Sequence, residues 1–191
     1  MDIILIRHGM TFANEAKSFS TMDTKLSPAG WEGLDQTKEN LKKYAFSKIY
    51  ISEMHRTYET LCALGLEDEN YQKEPRLNEY DFGIFKGMPR EEMLRDYQDM
   101  ITAWGEDIIN YRVPEGENVP DLMVRVRDFY EQLLDQGENS LIITHDGVIR
   151  AFLCIVFDTT EVYSKVKSTN GGITVIQIED EIAKLLRYNE Y

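Results

Sequence analysis

Apolar positions follow two periods along this chain. Ile3, Ile4, Leu5 and Ile6 form a short continuous run rich in β-branched residues, the pattern of a strand covered on both faces. The stretch "LSPAGWEGLDQTKENLKKY" predicts a helix with Ser27 as its N-cap, Pro28 at the first helical position, and Lys42 and Lys43 in the last turn. "SKIYIS" predicts a second strand, and "SEMHRTYETLCALGL" a helix capped by Ser52 and closing near Gly65. From about Tyr71 to Pro120 the pattern is less regular. Within it "PREEMLRDYQDMITAW" has helical character, in one or two pieces, and "YRVPEGENVP" reads as a loop with two prolines. Leu122, Val126, Phe129 and Leu133 then recur at helical spacing. "SLIIT" predicts another buried strand, "DGVIRAFLCIVF" a mostly apolar helix and "GGITVIQIE" a late strand, with room for one more in the tail.

Strands thus alternate with helices. That order predicts an α/β domain with three layers: a largely parallel central sheet and helices on both faces. No stretch has linker composition, so the expectation is a single domain over residues 1–191, with a lid-like insertion around 71–120.

Composition narrows the class. The chain has 191 residues, enough for a full core, and a formal net charge of −13. Such a surface repels nucleic acid and anionic membranes at long range, so neither is expected as a partner. A local basic pocket can still oppose the global field. Cys62 and Cys154 lie in helical patterns without a CxxC partner and are read as reduced thiols. The run Ile3–Ile6 is too short for a signal peptide and nothing approaches membrane-spanning length. The expectation is a cytoplasmic protein; its oligomeric state leaves no signature in the pattern.

In open α/β sheets, ligands bind beyond the carboxyl ends of the strands. Three strand ends here carry unusual residues: Arg7, His8 and Gly9; Ser52 and, one turn on, Arg56; His145 and Asp146. Taken singly, each arginine suits a surface ion pair and each histidine a structural role. Their repetition at corresponding strand ends argues for a site. Two guanidinium forks match the oxygens of a phosphoryl group, and Asn14 adds an amide donor. A neutral imidazole among cations, which depress its pKa, is set for attack on phosphorus.

The blocks "LIRHGMTFANE", "LSPAG", "ISEMHRTYET", "LNEYDFGIFKG" and "IITHDGVIRAF" carry a further reading. In this order, over about Ile3 to Phe152, they resemble the motifs of the histidine phosphatase superfamily, with its phosphoglycerate mutase-like fold. "AWGEDIINYRVPEGEN" resembles a segment of the small α-ribazole and broad-specificity phosphatases.

The resemblance implies a phosphomonoester hydrolase acting on a small phosphorylated metabolite without metal or other cofactor. His8 would become phosphorylated, Arg7, Arg56 and His145 would hold the phosphoryl oxygens, and Asn14 and Ser20 would add contacts. Glu79 matches the proton donor. The residues alone leave Glu79 and Asp81 equivalent, and the resemblance chooses between them. Asp146 stands where many members have glycine, and a turn or cap role is expected for it. Lys86 replaces a frequent acid and is read as solvated, His55 as a surface or supporting residue. The alternatives are a cofactor-dependent phosphoglycerate mutase, disfavoured by the short chain, and a binding module without turnover, disfavoured because His8, His145 and Glu79 are all present.

Overall fold

The computed structural model describes residues 1–191. Its strands are β1 (Asp2–Arg7), β2 (Lys48–Ile51), β3 (Tyr71–Lys73), β4 (Ser140–Thr144), β5 (Ile173–Glu179) and β6 (Ile182–Glu190). They form one sheet in the order β3-β2-β4-β1-β5-β6. The β3–β2, β2–β4 and β4–β1 pairs are parallel, while β5 runs antiparallel to both β1 and β6. The expected α/β sheet is present, with an antiparallel margin formed by the last two strands.

Strand alternation sorts the core into two layers. Ile3 and Leu5 join Tyr50, Ile142 and Ile176 on one face, in a cluster of 23 buried residues. Ile4 and Ile6 join Ile49, Ile51, Leu141, Ile143 and Val175 on the other, in a cluster of 11. Both faces of β1 are therefore dry, which is why its sequence shows no polar alternation. The larger layer is completed by α7 (Val119–Gln136) and α8 (Asp146–Val156), whose apolar stripes face each other. Leu122, Val126, Phe129 and Leu133 are all fully buried, as their spacing predicts.

The other helices are α1 (Phe12–Glu15), α2 (Pro28–Glu32), α3 (Asp35–Leu41), α4 (His55–Ala63), α5 (Arg90–Asp96) and α6 (Gln98–Glu106). The single helix expected from "LSPAGWEGLDQTKENLKKY" is in fact two. Ser27 does cap its start, accepting from the Gly30 amide, but the chain breaks at Gly33 and Leu34, and Lys42 and Lys43 fall at and beyond the end of α3. Gly30 is fixed by closeness: a Cβ there would lie 1.9 Å from the Met10 carbonyl oxygen. The region 71–120 holds β3, the pair α5 and α6, and two short 3-10 turns. No helix is long and apolar enough to cross a membrane.

Candidate active site

The parallel register aligns β1, β2 and β4 so that they end level: Arg7 faces Thr144, and Ile51 faces Ile143. The next residues leave the sheet together. His8 extends the ladder by one bond, its amide donating to the Thr144 carbonyl at 2.9 Å. His145 follows Thr144 as the N-cap of α8. The two imidazoles lie 5.2 Å apart, centroid to centroid.

Both rings are almost wholly buried. His8 Nδ1 lies 2.7 Å from the Gly9 carbonyl oxygen, which can only accept, so Nδ1 carries the proton of the neutral ring and Nε2 is left with a lone pair. Burial first, then Arg56 and Arg7, hold the His8 pKa well below its ordinary value, against a smaller upward pull from Gly9. His145 is held low by burial, then by Arg56 and His8 among its charged neighbours. Its Nε2 lies 2.7 Å from Ser52 Oγ. Thr57 Oγ1 donates to the Ser52 and Met54 carbonyls, which frees the Ser52 hydroxyl to donate to Nε2. In the tautomer that Ser52 donation to Nε2 selects, His145 Nδ1 bears the proton; Nδ1 has no partner in the protein. Ser52 is thus a support for His145 and not the cap of α4; the N-cap is Met54, and Ser52 Oγ accepts its amide.

Arg56 is only 1% exposed, yet it has no carboxylate partner. Nη1 donates to the Thr21 carbonyl at 2.9 Å and Nη2 sits 2.9 Å from Met54 Sδ, while Nε has no partner. Burial lowers its pKa to about 10, against an upward pull from Glu79, so it stays charged at neutral pH. Removing a cation from water without a counter-ion costs several kcal/mol. Arg7 donates through Nη1 to the Ser168 carbonyl, and its Nε is also unpartnered.

Glu79 and Asp81 part company here. Asp81 is partly exposed, pairs with Lys86 at 2.9 Å and accepts from the Gly83 amide. Glu79 Oε1 accepts from the amides of Tyr80 (2.9 Å) and Gly147 (3.1 Å) at the start of α8. Gly147 permits this approach, since a Cβ there would lie 2.5 Å from Oε1. Burial raises the Glu79 pKa, Arg56 opposes it and Asp146 reinforces it.

Arg7, His8, Asn14, Ser20, Arg56 and Glu79 line one cleft of about 630 Å³, and His145 sits behind His8. Every site residue expected from the sequence is therefore brought together. Asn14 Oδ1 accepts from the Thr11 amide and from Asn170 Nδ2, which leaves the Asn14 amide nitrogen as a donor. Among the aromatic residues, Phe19, Tyr80, Phe82, Trp104 and Tyr163 line the cleft, whereas Phe12, Phe85 and Tyr111 do not. His55 pairs with Glu59, a supporting surface role.

Sequence reasoning passed over Asn170, whose Nδ2 also donates to the His8 and Gly9 carbonyls. It also passed over Arg125 on α7, which donates to the Arg76 and Glu79 carbonyls and pairs with Glu117 at 2.8 Å, clamping the segment that carries Glu79. The polar run "KSTNGG" directly before a buried strand was the available signal for Asn170. Arg125 gave none, being one charge on a solvated helix face.

Fold and cleft together define an α/β protein whose level strand ends gather two arginines and two histidines at one cleft. The chain belongs to the histidine phosphatase superfamily (branch 1), whose family model matches residues 3–191. It is 28% identical, over 98% of its length and 95% of the relative's, to a Hydrogenobacter thermophilus protein provisionally assigned as phosphoserine phosphatase 2. Over 82% of its length it is 34% identical to human 6-phosphofructo-2-kinase/fructose-2,6-bisphosphatase 4, of which it spans 33%. The structure of an α-ribazole phosphatase from Shigella flexneri superposes with a TM-score of 0.89 at 26% identity, covering 100% of this chain and 96% of that one.

Proposed function

We propose that this protein is a metal-independent phosphomonoesterase that works through a phosphohistidine on His8. Neutral Nε2 attacks phosphorus, and the ester P–O bond breaks as the leaving oxygen takes a proton from Glu79. The Gly9 carbonyl keeps Nδ1–H throughout and supports the cationic phosphohistidine. Glu79, now ionised, takes a proton from water, whose oxygen displaces His8 and releases phosphate. Arg7, Arg56, Asn14 and His145 Nδ1–H hold the phosphoryl oxygens, with Ser20 at the rim of the same cleft.

The observation that carries this reading is Arg56: a fully buried guanidinium with no carboxylate, beside Arg7 and two neutral imidazoles. A phosphoryl dianion supplies the missing countercharge, and the unpartnered Nε atoms of both arginines and Nδ1 of His145 supply donors. The test is hydrolysis of radiolabelled p-nitrophenyl phosphate without added metal, followed by a denaturing quench at alkaline pH. Native protein should release phosphate and carry acid-labile label; His8→Ala should lose both. Label surviving that substitution would sink the reading.

The substrate class follows from the charge of the cleft wall. Lys17, Arg90, Arg150 and Lys167 line it in addition to Arg7 and Arg56, against only Glu79 and Asp146. Arg150 is neutralised by Asp146, whereas Lys17 and Arg90 have no ion-pair partner. The Arg90 amide donates to the Lys17 carbonyl at 3.3 Å, and the Ser18–Pro89 bridge lies between them, so the two cations stand side by side at the mouth. Lys17 holds φ +53°, a left-handed conformation that ordinarily favours glycine. The preferred ester is a small metabolite bearing a second acid group. Phosphoserine and fructose 2,6-bisphosphate, named in two of the relatives, are both of that kind. In the double variant Lys17→Gln, Arg90→Gln, kcat/KM for O-phosphoserine should fall about fivefold to tenfold, the scale of exposed charge-assisted contacts. Phosphoethanolamine, which lacks the carboxylate, should be unaffected; equal losses on both would remove the subsite.

A further inference from the structure

We propose that Asp146 is a positioning residue that sets Arg7 for the phosphoryl group: its carboxylate fixes Ser168, and the Ser168 carbonyl fixes the guanidinium. The inference rests on reading Arg7 as a phosphate-binding group.

The geometry is a relay of three residues from two ends of the chain. Asp146 is the first residue of α8. Its Oδ1 accepts from both the Ser168 amide and the Ser168 hydroxyl, each at 2.8 Å. Its Oδ2 takes Arg150 Nη2 at 2.6 Å. Ser168 is buried, and its carbonyl accepts from Arg7 Nη1, the one hydrogen bond the Arg7 side chain makes within the protein. The same segment holds the Arg7 backbone: the Arg7 amide donates to the Gly172 carbonyl, and the Gly171 amide to the Arg7 carbonyl. Segment 168–172 is therefore a strap across the end of β1, and Asp146 is the charged tie at its head.

A relay does what a direct ion pair would not. An aspartate bonded to Arg7 itself would orient the fork but cancel its charge and compete with phosphate for its donors. A carbonyl orients without neutralising. The carboxylate is kept one residue back, where Arg150 already balances it. A turn or cap role alone does not account for this: Asp146 ties a segment 22 residues away to the site.

A second effect follows from the same placement. Gly147, adjacent to Asp146, donates to Glu79 Oε1. The charged groups facing Glu79 are Arg7 from β1, Arg56 from α4 and Asp146 from α8, with the Tyr163 phenol from the turn 160–164. Those facing Asp146 are Glu79, Arg150, Tyr163 and, from β6, Tyr188. Asp146 opposes the two arginines and favours the protonated form of Glu79. Removing its charge also leaves Arg150 unbalanced, which pulls the same way, toward ionised Glu79.

Two substitutions separate orientation from charge. Asp146→Asn keeps an oxygen that Ser168 can bond; Asp146→Ala keeps neither oxygen nor charge. Inorganic phosphate affinity is measured by calorimetry at neutral pH, and O-phosphoserine kinetics across pH, since an alkyl leaving group needs the Glu79 proton. Asp146→Ala should bind phosphate about tenfold more weakly, the scale on which outer hydrogen-bond partners act, with KM raised more than kcat is lowered. Asp146→Asn should keep phosphate affinity close to native while the alkaline fall of kcat moves to lower pH. Ser168→Ala removes one of the two donors and should give a smaller loss in the same direction, which keeps the test readable if Asp146→Ala does not fold. Native phosphate affinity in the folded fraction of Asp146→Ala, or of Ser168→Ala where only that variant folds, overturns the proposal, even where melting temperatures fall. Because phosphate binding is read without turnover, it stands apart from whether His8 is phosphorylated.

Discussion

At the scale of single residues, the proposed phosphohistidine route depends on two protonation states that free side chains do not share. Attack needs His8 neutral and departure needs Glu79 protonated. With ordinary pKa values near 6.5 and 4.3, only about 0.5% of molecules would hold both states near pH 5.5. Burial pushes the His8 value down and the Glu79 value up, toward populating the reactive pair. The expected kcat/KM profile is a bell: it falls on the acid side as His8 takes a proton and on the alkaline side as Glu79 loses one. Glu79→Gln should lose the alkaline limb and most of kcat for alkyl esters, and less for p-nitrophenyl phosphate, whose leaving group needs no proton. An unchanged alkaline limb in that variant would assign it to another group. His8 was legible in the sequence because an apolar run ends on it. Glu79 was not separable from Asp81 by pattern, because both lie in an irregular segment and only tertiary contacts with α8 distinguish them.

Elements deliver these residues by coming into register. The level ends of β1, β2 and β4 place Arg7, His8, Ser52 and His145 together, and Thr144 Oγ1 ties β4 to the Leu77 carbonyl at 2.8 Å. The Glu79 segment has no strand to hold it and depends on Arg125. Arg125→Ala removes two carbonyl contacts and strands Glu117, whose carboxylate also accepts the Asp81 amide. Loss of about 2 kcal/mol of stability is expected for a pair buried to this degree, with kcat lowered and phosphate affinity close to native; denaturant melts and steady-state kinetics check both. The long helix α7 was legible from its hydrophobic spacing and β4 from its unbroken apolar run. The break between α2 and α3 was not, since Gly33 is no stronger a stop signal than the neighbouring Gly30, which stays helical. β3, three residues with only Tyr71 partly buried, carries too few apolar positions to show a period.

At the scale of the whole molecule, charge is distributed unevenly. The chain carries 34 acidic against 21 basic residues, while the cleft carries six cations and two carboxylates. Screening confines each field to about 8 Å at physiological ionic strength, so an anionic ester meets repulsion at range and attraction only inside the mouth. With a pI near 4.7, the protein should reach its solubility minimum close to that pH and redissolve on return to neutrality, as light scattering would show. Good solubility throughout that interval would mean the acidic groups are not free to titrate normally. The α/β class was legible from the alternation of elements, but the antiparallel margin was not, because pairing direction depends on how β5 returns and not on its residues.

The position of β1 has a consequence for how the chain matures. It is the first strand in sequence, yet both of its neighbours, β4 and β5, lie beyond residue 139. A nascent chain emerging from the ribosome must therefore carry four consecutive water-averse side chains, with Arg7 and His8 directly after them, until β4 and β5 have been made and either flank can be sealed. Catalytic competence arrives late and all at once, and interrupted translation products are the molecules most prone to cluster.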